Sequence, residues 1–195
     1  MARVRHFLPV FIAPHALSPG RGFTLVEMLV VVTTTAVLAG VAVPAMARMI
    51  DSARLTFFAN DFLASMFLAR SEAIKYKGRS SLCKSSNGTS CAVGGGWEQG
   101  WIVFRDANND GRVDPGEQIV HYTQALPAGF RLTGNQNIAS YISFAPSGRT
   151  RMVSGAFQAG TLTLCKQAAD TAARQIVINN AGRARVVQDP AHLCI

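Results

Sequence analysis

Acidic residues are scarce in this chain, eleven in 195, against nineteen lysines and arginines. Histidine occurs only at His6, His15, His121 and His192, and no two stand at a spacing that would let them share a metal. No C-x-x-C pair is present, which removes the common zinc arrangements. A nucleophile elbow and a phosphate-cradling glycine loop are also missing, and Gly94-Gly95-Gly96 reads as a turn. Nothing in this inventory points to catalysis, so a binding or structural protein is expected, with no cofactor required. Charge nearly vanishes in one place. From Phe23 to Val43, twenty-one consecutive residues carry a single charge, Glu27.

That run makes about 30 Å of helix, enough to cross a bilayer core, and it exceeds the apolar core of an ordinary signal peptide. A carboxylate inside such a helix costs about 3 kcal/mol unless a partner meets it, so Glu27 requires an explanation that greasiness does not supply. Arg3, Arg5 and Arg21 precede the span, which predicts a cytoplasmic N-terminus and an exported remainder.

The residues Gly22-Phe23-Thr24-Leu25-Val26-Glu27, following a basic leader, resemble the start of type IV pilins. The resemblance implies a prepilin whose leader, residues 1–22, is removed between Gly22 and Phe23 by a prepilin peptidase that then methylates Phe23. It further implies that Glu27 pairs with the terminal amine of a neighbouring subunit in the filament. Such a pair neutralises both charges in an apolar bundle and fixes the axial register.

Four cysteines, Cys83, Cys91, Cys165 and Cys194, lie in the exported part, where disulfides form. Three pairings are open. Proximity favours Cys83–Cys91, which closes a Ser/Asn/Gly-rich loop and leaves Cys165–Cys194 to pin the C-terminal tail. Residues 23–76 are expected to form one helix, bent at Pro44, with 23–43 in the membrane. Its second half carries an apolar stripe of Leu55, Phe58, Phe62, Met66, Ala69 and Ala73, widened by Leu63, Phe67 and Ile74. Arg54, Asp61, Ser65 and Glu72 are expected on the opposite edge and Gly78 at the helix end. Residues 77–195 then turn to short β-like runs at 101–104, 118–122, 130–132, 141–144, 161–165, 175–179 and 183–187.

A long helix laid on antiparallel strands is an α+β, type IV pilin-like architecture. The Gly100–Phe104 strand, the Phe144-x-Pro146-x-Gly148 turn and the Asn180-Ala181-Gly182-Arg183 turn resemble the GspH/FimT group of minor pilins and pseudopilins. In its transformation-associated members a C-terminal Gly-Arg-x-Arg motif occurs, which Gly182, Arg183 and Arg185 match. The resemblance implies a minor pilin that binds extracellular double-stranded DNA during natural transformation. Its other partners would be major and minor pilins and the inner-membrane assembly platform. It would sit in the inner membrane before assembly and in the pilus afterwards. The same features also suit a purely structural minor pilin that primes assembly, or a type II secretion pseudopilin.

Charge placement agrees with an anionic partner. Residues 121–195 hold Arg131, Arg149, Arg151, Lys166, Arg174, Arg183 and Arg185 against Asp170 and Asp189. The stretches Gly148-Arg149-Thr150-Arg151 and Gly182-Arg183-Ala184-Arg185 echo one another. In a strand, arginines at i and i+2 share a face about 7 Å apart, close to the spacing of phosphates along a nucleic-acid strand. Arg183 and Arg185 are the primary expected contacts, Arg149 and Arg151 secondary ones, with Lys166 and Arg174 as possible extensions. Aromatics do not interleave with these arginines, so backbone contact rather than stacking is expected.

Asp106, Asn108, Asp110, Gly111, Asp114 and Glu117 satisfy a twelve-residue calcium-loop pattern, in which Arg112 would offer its carbonyl. The flanking segments read as strands rather than helices, so a polar hairpin loop competes with a calcium site.

Overall fold

The computed structural model describes residues 22–167, 172–189 and 194. The leader arginines, Asp170 and His192 lie outside the described residues. The chain divides into two compact units, Met1–Ala42 and Val43–Ile195. One helix, α1 (Leu25–Tyr76), contributes to both, and Pro44 lies inside it.

In the first unit the helix is long and apolar enough to cross a membrane, and its side chains are exposed. The hydroxyls of Thr33, Thr34 and Thr35 donate to the carbonyls of Leu29, Val30 and Val31 at 2.9, 2.8 and 2.7 Å. Those bonds satisfy within the helix three polar groups that hydrocarbon could not.

The second unit places the rest of α1 on two four-stranded antiparallel sheets. Its strands are β1 (Arg79–Lys84), β2 (Trp101–Asp106), β3 (Ile119–Thr123), β4 (Phe130–Gly134), β5 (Tyr141–Phe144), β6 (Gly160–Lys166), β7 (Ala173–Ile178) and β8 (Ala184–Asp189). They pair in the orders β3-β2-β1-β5 and β4-β6-β7-β8. The buried stripe of α1 is Leu55, Ala59, Phe62, Ser65, Met66, Ala69 and Ala73, stepping by three and four. It meets Leu82, Trp101, Val103 and Ile142 of the first sheet and Leu132, Leu162, Leu164, Ile176 and Ile178 of the second in one core. Phe62 sits edge-on to both Trp97 and Trp101, with centroids at 5.1 and 4.9 Å. Ser65, expected on the polar edge, is instead buried, and its hydroxyl accepts the Trp101 indole N–H at 2.9 Å.

The first sheet is covered on both faces. Cys83, Ile102 and Phe104 form a second small cluster under the loops that carry Cys91 and Val113. Burial on two sides accounts for the unbroken apolar run Trp101-Ile102-Val103-Phe104. The second sheet has one solvent face, so β8 alternates Ala184 and Val186 inward with Arg185 and Val187 outward.

Three expectations need correction. Phe67 and Ile74 do not widen the buried stripe; they are 46% and 49% exposed. With Ile50, Ala53, Phe57, Asn60, Ala64 and Ser71 they make a second seam at alternating steps of three and four, all of it exposed or nearly opposite the core. The helix ends at Tyr76, and the left-handed residue there is Lys77 (φ 52), not Gly78. Strand β1, central in its sheet, went unpredicted because Arg-Ser-Ser-Leu-Cys-Lys reads as polar, although five of its six residues are buried.

Candidate nucleic-acid interface

The β7–β8 turn is built around Asn179, whose side-chain oxygen accepts the N–H groups of Ala181 and Arg183, both at 3.1 Å. Gly182 N–H returns to the Asn179 carbonyl at 3.0 Å. Gly182 takes φ +72 and is buried, with the carbonyl oxygen of Gly148 lying where a Cβ would stand. The two sequence echoes therefore meet, glycine against glycine. Thr150 fastens them further by donating its N–H to the Asn180 carbonyl, while its hydroxyl lies between the carbonyls of Gln158 and Asn179 and is nearer Gln158. Arg70, which sequence reasoning did not single out, reaches from α1 to donate to the Gly182 carbonyl at 2.8 Å. A contact across 112 residues leaves no local signal.

Arg183 and Arg185 emerge beyond this turn, both exposed, beside a shallow depression that they share with Val177, Asn179 and Ala184. Strand β8 is the edge of its sheet. Among the described residues neither guanidinium has a hydrogen-bond or ion-pair partner. Arg149 is likewise exposed and unpartnered, whereas Arg151 donates to the Gly155 carbonyl of its own turn at 2.8 Å.

Lys166 and Arg174 do not extend the patch, because both face α1. Lys166 pairs with Asp51 at 2.6 Å, and Arg174 donates to Ser52 Oγ at 2.8 Å and Thr56 Oγ1 at 3.2 Å. Burial lowers the Arg174 pKa from the ordinary arginine value. These two cations bind the sheet to the helix and leave Arg149, Arg183 and Arg185 as the uncommitted guanidiniums of the C-terminal turns.

In the acidic loop, Asp106 is fully buried and takes the Ser81 hydroxyl at 2.7 Å, Gly111 N–H at 3.1 Å and Asp110 N–H at 3.0 Å. Glu117 accepts the N–H groups of Ala107 and Asp114, Asp110 that of Arg112, and Asn108 donates to Asp114. The oxygens of the calcium pattern thus close the loop on itself, and among the described residues no cluster of three or more His, Cys, Asp or Glu groups is arranged to hold a metal. Asp106→Asn is expected to lose about 2 kcal/mol of stability, since one charged acceptor facing three donors becomes half donor. Chemical denaturation measures this, and an unchanged midpoint would show that Asp106 is dispensable to the loop.

At the N-terminus, Glu27 accepts Thr24 N–H at 3.0 Å and the Thr24 hydroxyl at 3.1 Å, while Thr24 Oγ1 accepts Glu27 N–H at 3.2 Å. This capping box was readable from Thr-x-x-Glu before an apolar run. Gly22 and Phe23 are exposed just before it. Cys83 is bonded to Cys91 and Cys165 to Cys194, with Cα atoms 5.5 and 5.4 Å apart.

The family model described as Type II transport protein GspH matches residues 59–182. Among solved structures, the Pseudomonas aeruginosa type IV minor pilin FimU is similar in fold, with a TM-score of 0.51 and 18% identity over 69% of this chain and 88% of that one. A second crystal form of FimU gives a TM-score of 0.48 and 17% identity, over 66% and 89% of the two chains. No curated protein matches the chain.

Proposed function

The chain belongs to the GspH family, and on that premise we propose that it is a minor type IV pilin that binds DNA through Arg183 and Arg185 during natural transformation. The fold suits the filament role: a membrane-length apolar helix continues into one laid on two antiparallel sheets. The exposed seam from Ile50 to Ile74 offers an apolar face to neighbouring subunits. In this reading the prepilin peptidase cuts after Gly22 and methylates Phe23, and the new amine draws Glu27 of a neighbour away from Thr24. The subunit waits in the inner membrane, N-terminus cytoplasmic, until the assembly platform incorporates it.

One observation carries the DNA assignment: Arg131 and Arg149 are also exposed and unpartnered, but Arg183 and Arg185 are two such guanidiniums two residues apart on one sheet edge, while Lys166 and Arg174 are committed to the helix. Phosphate contacts from such a pair are indifferent to base sequence and weaken steeply with salt. The compact unit Val43–Ile195 is expected to shift duplex DNA at low salt, and Arg183→Ala/Arg185→Ala to lose about two units of salt slope. Equal binding by the double variant would sink the assignment.

The family's description as a type II transport protein favours a second reading, a secretion pseudopilin in which these arginines only solvate a strand. A folded wild-type unit with no affinity for duplex DNA would select it.

A further inference from the structure

The C-terminal arginines do not stand alone, because the fold brings the end of α1 against their turns. Gly148 packs on the Ile74 and Arg70 side chains. Arg70 holds the Gly182 carbonyl, and Arg79 donates to the Met152 carbonyl at 3.2 Å. Pro146 shares a depression with Glu72, Tyr76, Lys77 and Arg79. Exposed at this junction are Lys75 and Lys77, which come from a stretch of sequence that is close to neutral as a whole. The acidic neighbour here, Glu72, is already paired with Arg105 at 3.3 Å, and Arg105 covers the Tyr76 ring. Lys75 stands over the same Tyr76 ring, its Nζ 4.9 Å from the centroid, and Lys77 makes no side-chain bond among the described residues, so neither charge is neutralised by a carboxylate.

Lys77 adds an independent sign. It ends the helix at φ 52, a left-handed conformation that glycine adopts freely and a lysine only under strain. Glycine is the next residue, so a one-position exchange would have relieved the strain. Backbone held there at a residue other than glycine costs about 1–3 kcal/mol, and such positions cluster where a side chain meets a ligand.

We propose that Lys75 and Lys77 form a second phosphate-contact cluster for duplex DNA, continuous with Arg149, Arg183 and Arg185. Arg70 and Arg79 are positioning residues that fasten the two turns to the helix end. This rests on the DNA-binding reading above and extends it to residues from the other half of the chain. Arg183 to Arg185 spans about 7 Å of extended chain, and Ile74 to Tyr76 about 3 Å of helix with Lys77 next to it, with the glycine contact between them. A duplex lying across this end meets both clusters within about one helical turn.

The bland explanation is that lysines at a helix C-terminus complement the helix dipole. Lys77→Gly separates the two. Binding of the compact unit Val43–Ile195 to a fluorescent 24-base-pair duplex would be followed between about 50 and 200 mM salt, alongside thermal midpoints. Each phosphate contact contributes about 0.9 to the slope of log affinity against log salt. Lys75→Ala/Lys77→Ala is expected to flatten that slope by about 1.8 and weaken binding on the order of tenfold. Lys77→Gly is expected to flatten it by about 0.9 with its midpoint held or raised. If wild type binds and Arg183→Ala/Arg185→Ala disturbs it, but both lysine variants keep the wild-type slope, the second cluster is wrong and the first stands. If wild type binds no duplex, the DNA reading fails and takes this cluster with it.

Discussion

Trp101→Ala is expected to cost the second unit about 4–5 kcal/mol, the largest loss of any single truncation in the core. The indole is fully buried, its ring meets Phe62 edge-on at 4.9 Å, and its N–H is held by Ser65 of α1. Removal empties the space where the helix, the first sheet and Trp97 converge, and the surrounding rings cannot all collapse into it. For a unit of this size the thermal midpoint should fall by roughly 10–15 °C, followed by circular dichroism. A loss below about 2 kcal/mol would mean that the three elements close over the gap and that their contact is less fixed than the geometry implies.

Gly182→Ala is the second large effect, expected at about 3 kcal/mol. The added methyl is strained by φ +72 and overlaps the Gly148 carbonyl oxygen, a backbone atom that cannot swing aside. The turn must open, the Arg70 bond to the Gly182 carbonyl lengthens, and Arg183 loses its direction. Gly148→Ala gives the internal comparison. Its φ is also positive, at +73, but its methyl meets the Ile74 and Arg70 side chains at 2.9 and 3.0 Å, which can yield. Gly182→Ala should therefore lose more stability than Gly148→Ala and, under the proposed DNA-binding function, more affinity for duplex. The reverse order would show that the helix contact, not the contact between the turns, sets the site.

How much of this was visible beforehand depends on whether the signal was local. The membrane-length apolar helix, the α1 stripe at Leu55, Phe62, Met66, Ala69 and Ala73, and seven of the eight strands followed from periodicity and turn chemistry. So did the fold class, a long helix on antiparallel strands. Strand β1 hid because Ser80 and Ser81 are buried through bonds to the Phe104 carbonyl and to Asp106, partners about 25 residues away. Ser65 was misplaced for the same reason, since only Trp101 makes it an interior residue. Phe67 and Ile74 misled in the other direction, being apolar yet turned outward. In the site, the Gly-Arg echoes were legible as a pattern but their contact was not. Lys166 and Arg174 counted toward a basic region by composition, and only the fold shows them spent on Asp51, Ser52 and Thr56. Charge totals record how many cations a segment has, and tertiary contacts decide how many remain.

Those spent cations have a mechanical side. Lys166 and Arg174 clamp the sheet to α1 at Asp51, Ser52 and Thr56, and Arg70 clamps it again at Gly182, some 20–30 Å further along the helix axis. A subunit tugged by its helix would have to slide that rod lengthwise past the sheet. Both clamps and every side chain between them would then share the load in shear, rather than peel off one after another. Resistance to such a pull comes from the number of fastenings strained together, so three cations bonded at opposite ends can harden the joint far more than the separate strengths of their bonds suggest.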